Sequence, residues 1–303
     1  MSLRAALRNK HAVTGLFSQL SSCSSHVRVR GSPVLVTQQR KSSTTPRIKV
    51  EFNQSTGVAI MHMQSPPVNS LSLDFLTEFC IGVEKLEMDK SCRGLIITSS
   101  QPKVFSAGLD IMEMYGKSPE RCGEFWRAVQ EMWLKLYGSN MAIIAAVNGS
   151  SPAGGCLIAM TADYRIMADN PRFSIGLNET QLGIVAPFWF KDTMVNTVGH
   201  RCSEMALQIG LLYNPSEALR IGLVDQLVPE DQVLSTATQT MTKWLAIPDH
   251  ARQLTKTMMR KPTIDKLTSS RETDIRHFVS FITKDSIQKS LAMYLEMLKK
   301  RKG

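Results

Sequence analysis

The chain has 303 residues, 43% hydrophobic and 20% charged, with six cysteines and a formal net charge of +10. This is globular composition, which excludes a disordered or fibrous chain, and a fold of this size needs no disulfide or metal to hold its core. The longest apolar runs, such as residues 141–147, fall far short of the ~20 residues that a membrane-spanning helix needs.

The charge is local. Nine of the 36 Lys and Arg lie in residues 1–50, where no acid precedes Glu51, and beyond residue 50 there are 27 basic against 26 acidic side chains. A near-neutral folded part argues against a nucleic-acid partner. Residues 1–45 are Arg- and Ser-rich and acid-free, with spaced apolar residues (Leu3, Leu7, Val13, Phe17, Leu20). That is the composition of a mitochondrial transit peptide, cleaved between about residues 25 and 45, and it predicts a mitochondrial matrix protein. A basic tail for nucleic acid or membrane surface is the alternative reading. Neither the cysteines nor the six histidines have metal-site spacing, so no metal is expected.

Residues 47–52 and 58–63 flank Asn53-Gln54-Ser55-Thr56-Gly57 and read as a β-hairpin. Over residues 72–88, Leu73, Leu76, Phe79, Val83 and Leu86 recur at helical spacing behind Ser72 as cap. Residues 94–99 form a buried strand. The stretch 109–138 reads as one helix with Phe125, Val129, Trp133 and Tyr137 on a face. A strand over 141–147, a helix over 152–160 and strands over 164–168 and 173–175 follow. From Phe188 onward the pattern is helical: 188–198, 202–210, 215–221, 229–246, 248–260, 269–282 and 284–300. Alternating strands and helices imply crossover units, and helices alone at the end imply a helical appendage. No GxGxxG, GxSxG or P-loop pattern supports a dinucleotide, hydrolase or nucleotide site.

Three segments share one design, a small-residue turn between a strand or loop end and a helix start or polar residue. They are Val104-Phe105-Ser106-Ala107-Gly108-Leu109-Asp110, residues 147–156 with Asn148-Gly149 and Pro152-Ala153-Gly154-Gly155-Cys156, and residues 175–183 with Asn178-Glu179-Thr180-Gln181-Leu182-Gly183. Small residues let backbone approach a ligand, and N–H groups at a helix start are unpaired. Two of them facing one point make an oxyanion hole.

In this order the segments resemble the crotonase (enoyl-CoA hydratase/isomerase) superfamily. The first matches its FxAGxD segment, the second its NGxxxGGG segment and the third its base-bearing segment, while residues 215–224 are like its A…A…GLV stretch. Within the family, Asn69-Ser70-Leu71-Ser72 and residues 152–157 and 178–183 look most like the mitochondrial isomerases of 3-enoyl-CoA.

The resemblance implies an α/β crotonase fold, with a β-β-α spiral core over 46–248 and a helical C-terminal region over 249–303. It also implies a homotrimer or dimer of trimers, and an acyl-CoA substrate whose CoA is part of the substrate, so that no separate cofactor is needed. The reaction implied is transfer of the double bond from carbon-3 to carbon-2 in β-oxidation of unsaturated fatty acids. The N–H groups of Leu109 and Gly154 align with the oxyanion-hole donors, Ala107, Gly108, Leu109, Asp110 and Ile111 with the acyl channel, Glu179 with the catalytic carboxylate, and Asn178 with a substrate-facing position.

Hydratases carry a second glutamate where this chain has Leu157, and that departure favours an isomerase over a hydratase or another crotonase reaction, while the near-neutral charge beyond residue 50 argues against an RNA-binding homologue. Leu157, Phe188, Trp189 and Phe190 are the expected dry wall. Phe278, Phe281 and Lys284 resemble the family's CoA-contacting region. The competing readings are a capping or surface carboxylate for Glu179 and a helix cap for Asp110.

Overall fold

A computed structural model of the chain describes residues 46–300. The expected transit segment lies outside the described residues.

The hairpin forms as expected. Ile48–Asn53 (β1) and Val58–Met63 (β2) pair antiparallel, and the Asn53 carboxamide oxygen accepts the N–H groups of Ser55 and Thr56 in the turn. Leu73–Met88 (α1) follows, with the Ser72 hydroxyl accepting the Phe75 N–H. β2 then pairs in parallel with Gly94–Ser99 (β3). Lys103–Val104 (β4) leads to Pro119–Tyr137 (α2). Ala142–Val147 (β5), Gly149–Pro152 (β6) and Gly154–Thr161 (α3) repeat the pattern, as do Tyr164–Ala168 (β7) and Ile175–Gly176 (β8).

Gln226–Val228 (β9) completes a six-stranded sheet of order β1-β2-β3-β5-β7-β9, beside a small sheet of order β4-β6-β8. β3, β5 and β7 thus each hand over to a short strand before the next helical segment, which is the β-β-α repeat. β3 and β5 are buried at every position, as expected of parallel strands covered on both faces. The ends of the short strands bring the turns after β4, β6 and β8 together.

Three expectations need correction. The helix foreseen over 109–138 is a 3₁₀ turn, Ile111–Glu113, and then α2. Gly116, at φ +64°, and the Ser118-Pro119 start interrupt it. The short strands β4, β6 and β9 have too few residues to show alternation. The helices foreseen over 248–260 and 269–282 are one, Asp249–Ile282 (α8), running through Pro262.

Anchors on both sides of that proline hold α8 on the core. On one side Arg260 and Lys256 both pair with Asp163 at 2.9 Å and donate to core carbonyls. On the other, Asp274 accepts from Trp126 and Gln130 at 2.8 Å and from Trp189 at 3.2 Å. A proline removes one donor, and this packing outweighs the loss. Phe188–Val198 (α4), His200–Ile209 (α5), Pro215–Arg220 (α6), Val233–Leu245 (α7) and Asp285–Lys300 (α9) complete the chain.

Candidate active site

Asn69 ties the first turn to the sheet. Its carboxamide is fully buried, accepting from the Ser65 N–H at 2.8 Å and donating to Ser99 Oγ at 2.7 Å and the Phe105 carbonyl at 3.0 Å. Ser106 Oγ donates to the Asn69 carbonyl (2.8 Å) and accepts the Gly108 N–H (3.1 Å). The Leu71 N–H donates to the Gly108 carbonyl and the Asp110 N–H to the Leu71 carbonyl. In such a bridge the intervening residue turns its N–H to the opposite side. The Leu109 N–H therefore faces away from Leu71, with no acceptor among the described residues.

The second turn places Gly154 at the start of α3, where a helix leaves its N–H unpaired. The preceding Ala153 sits at φ +49°, ψ −121°, a region that costs an alanine on the order of 1–3 kcal/mol. Its N–H donates to the Gly176 carbonyl at 2.8 Å, and its carbonyl accepts from Leu157 at 3.0 Å. A Cβ on Gly154 would lie 3.2 Å from the Leu109 nitrogen, and one on Gly108, at φ +85°, 2.8 Å from the Gly154 nitrogen. The two turns are in backbone contact, and two free N–H groups share one small region.

Glu179 opens the third segment, a 3₁₀ turn over Glu179–Leu182 closed by Gly183 at φ +77°. The Thr180 hydroxyl pins this turn to α5 by donating to the Leu207 carbonyl at 2.9 Å. Glu179 is only 5% exposed, and neither carboxylate oxygen has a hydrogen-bond partner among the described residues. Burial pushes its pKa up to about 7, opposed only by its own backbone N–H. Asn178 Oδ1 beside it is buried and unpartnered too. The nearby Cys156 thiol is raised as well, by burial first and then by the charge on Glu179, so it stays protonated and is no nucleophile.

These groups surround a cavity of about 70 Å³. Of the residues expected at the site, Ala107, Leu109, Ile111, Asn178 and Glu179 line it. Gly108 and Gly154 make the backbone contact between the turns that carry the lining residues Leu109 and Ala153. Asp110 does not line the cavity; its carboxylate accepts the Met112 N–H at 2.9 Å and caps the 3₁₀ turn. The foreseen dry wall is also elsewhere. Leu157 is fully buried in α3 away from the cavity, and Trp189 and Phe190 belong to an aromatic cluster with Trp126. Phe278 does not line the cavity; it stacks on Trp126, with ring centroids 3.8 Å apart. The apolar wall is instead Met114, Pro152, Ala153, Leu182, Ile184 and Tyr294, of which Tyr294 comes from α9 and had no sequence signal.

A lone carboxylate titrating near neutrality, in an apolar pocket beside two unpaired N–H donors, is equipped to move a proton next to a carbonyl. No second carboxylate lines the cavity among the described residues. The larger cavity near Trp244, about 430 Å³, has Lys256 and Arg260 on its wall, but these charges are already paired with Asp163.

The family model described as Enoyl-CoA hydratase/isomerase matches residues 53–302. Among curated proteins, the chain is 64% identical to "Enoyl-CoA delta isomerase 1, mitochondrial" of Mus musculus over 257 residues, covering 85% of this chain and 89% of the relative. Its identity to the Homo sapiens protein of the same name is 63%, over 85% of each. The crystal structure of human mitochondrial delta3-delta2-enoyl-CoA isomerase superimposes with a TM-score of 0.84 at 63% identity, over 85% of this chain and all of that one.

Proposed function

The chain belongs to the enoyl-CoA hydratase/isomerase family, and within it we propose that this protein moves the double bond of a 3-cis- or 3-trans-enoyl-CoA to the trans-2 position. It is an enzyme of the enoyl-CoA isomerase type, acting in the mitochondrion on intermediates of unsaturated fatty-acid oxidation. The observation that carries the mechanism is the single buried carboxylate, raised to about 7, beside the free N–H groups of Leu109 and Gly154.

A thioester α-proton is too weakly acidic for a carboxylate in water. In the proposed site the Leu109 and Gly154 N–H groups stabilise the developing enolate oxygen, at about 3–4 kcal/mol for each donor. With a double bond at carbon-3, the anion is a dienolate whose charge spreads to carbon-4. Glu179 takes the proton from carbon-2, becomes the neutral acid that its apolar surroundings favour, and returns the proton to carbon-4. Asn178, with its unpartnered oxygen, faces the acyl chain beside it. Electrons and atoms stay within the substrate, so the scheme needs no metal or redox cofactor, and CoA enters as part of the substrate.

By the same family reading, residues 1–45 direct import, and residues 249–303 close the site and join copies into a homotrimer or dimer of trimers. Exposed Ile247, just before α8, and Leu254, Met258 and Met259 in its first third offer apolar surface for that association, and sedimentation equilibrium at the monomer mass would refute it.

The test of the reaction is the ultraviolet absorbance of the conjugated thioester, followed with purified protein and 3-hexenoyl-CoA. Because Glu179 must be ionised to accept the proton, kcat/KM rises with pH through a midpoint near 7. A profile flat from pH 5.5 to 8.5 would assign the base to another group.

A further inference from the structure

The cavity beside Glu179, about 70 Å³, has room for roughly five water-sized groups at 10–15 Å³ each. That suffices for the reacting carbons and not for a long acyl tail. The pocket is partly open to solvent, and a long tail leaves it past a wall that can yield.

The inner wall cannot. β6 and α3 are held by strand pairing and burial. Glu113, which accepts the Leu73 N–H at 3.0 Å and pairs with Arg121 at 2.8 Å, fixes the 3₁₀ turn to α1 and α2. The wall from α9 is held differently. Leu291 is the one fully buried side chain of α9 among the described residues. Gln288 fastens the helix: its Oε1 accepts the Gly116 N–H at 2.9 Å, and its Nε2 donates to the carbonyls of Met114 at 3.2 Å and Ile282 at 2.7 Å. Tyr294, about 1.7 turns further on, lines the cavity.

Apolar side chains are exposed next to this wall. Exposed Met112, Tyr115, Val185 and Met293 are each the chain neighbour of a cavity-lining residue, namely Ile111, Met114, Ile184 and Tyr294. Solvent-facing apolar side chains grouped around a cavity mark a contact surface for an apolar ligand.

We propose that α9 is a closable wall, that the Gln288 fastening and Tyr294 set the acyl-chain length the site accepts, and that a long tail passes between α9 and the loop at Met114 onto the apolar rim. This rests on the isomerase reading above. Unfastening the wall favours long tails over short ones.

The test measures kcat/KM for 3-hexenoyl-CoA and 3-dodecenoyl-CoA with the full chain and with Gln288→Ala and Tyr294→Ala. In both variants the dodecenoyl-to-hexenoyl ratio rises at least about threefold, while the pH midpoint near 7 stays in place. Equal losses for both substrates would mean that Gln288 and Tyr294 only hold the fold, and would overturn the proposal. If Gln288→Ala fails to fold, the ratio in Tyr294→Ala decides alone. Wild-type protein inactive on both substrates would overturn the isomerase reading itself.

Discussion

Glu179→Gln lowers turnover on 3-enoyl-CoA by at least about 10³, within the span that a positioned base supplies. The substitution keeps the shape of the side chain and removes the only carboxylate on the cavity wall among the described residues. The same change stabilises the protein in alkaline buffer. The folded-state pKa, about 7, lies above the ordinary 4.5, so the proton is held more tightly in the fold than in the unfolded chain. Its stabilising contribution is complete below about pH 4.5 and gone above about 7. A shift of this size corresponds to about 3 kcal/mol. Thermal melts should show Glu179→Gln several degrees above wild type at pH 8 and level with it near pH 4. A variant that keeps a tenth of wild-type turnover would place the base elsewhere.

Gly108→Ala tests the other half of the proposed chemistry. The added Cβ would meet the Gly154 nitrogen at 2.8 Å, at a backbone φ of +85°, so either the turn shifts or Gly154 does. Losing one aligned donor of an oxyanion hole costs about 10²–10³ in kcat, while the strained alanine costs about 1–2 kcal/mol of stability. The variant should therefore melt as a folded protein, keep its pH midpoint near 7 and lose at least a hundredfold in kcat. A loss below fivefold would show that the Leu109 and Gly154 N–H groups do not hold the oxyanion.

Much of this architecture is legible in the residues because it rests on local chemistry. The α1 cap at Ser72, the buried runs of β3 and β5 and the capping role of Asp110 follow from hydrogen-bonding groups and apolar patterns within a few positions. The meeting of the turns at Gly108, Gly154 and Glu179 is legible only through the order of three motifs, since no periodicity brings positions 70 residues apart together. What stays hidden depends on long-range packing. Trp189 and Phe190 are apolar enough to line a pocket, yet they stack with Trp126 and Trp133. Tyr294 reaches the site from α9, and Gln288 fastens that helix, with no local mark in the sequence. Pro262 reads as a helix break, and only the anchors at Asp163 and Asp274 reveal that α8 continues through it.

The absence of a second carboxylate at the Leu157 position separates moving a proton from adding water. Hydration needs groups that position and activate a water molecule, whereas one base suffices for transposition. Leu157 itself is fully buried and lies off the cavity wall, so its contribution is the carboxylate it does not supply. The most direct measurement is chromatographic product analysis of wild-type protein supplied in parallel with 3-enoyl-CoA and with trans-2-enoyl-CoA. The single-base site predicts conversion of the first to trans-2-enoyl-CoA with little 3-hydroxyacyl-CoA from either. Formation of 3-hydroxyacyl-CoA as the major product from trans-2-enoyl-CoA, at a rate rivalling isomerisation, would contradict it.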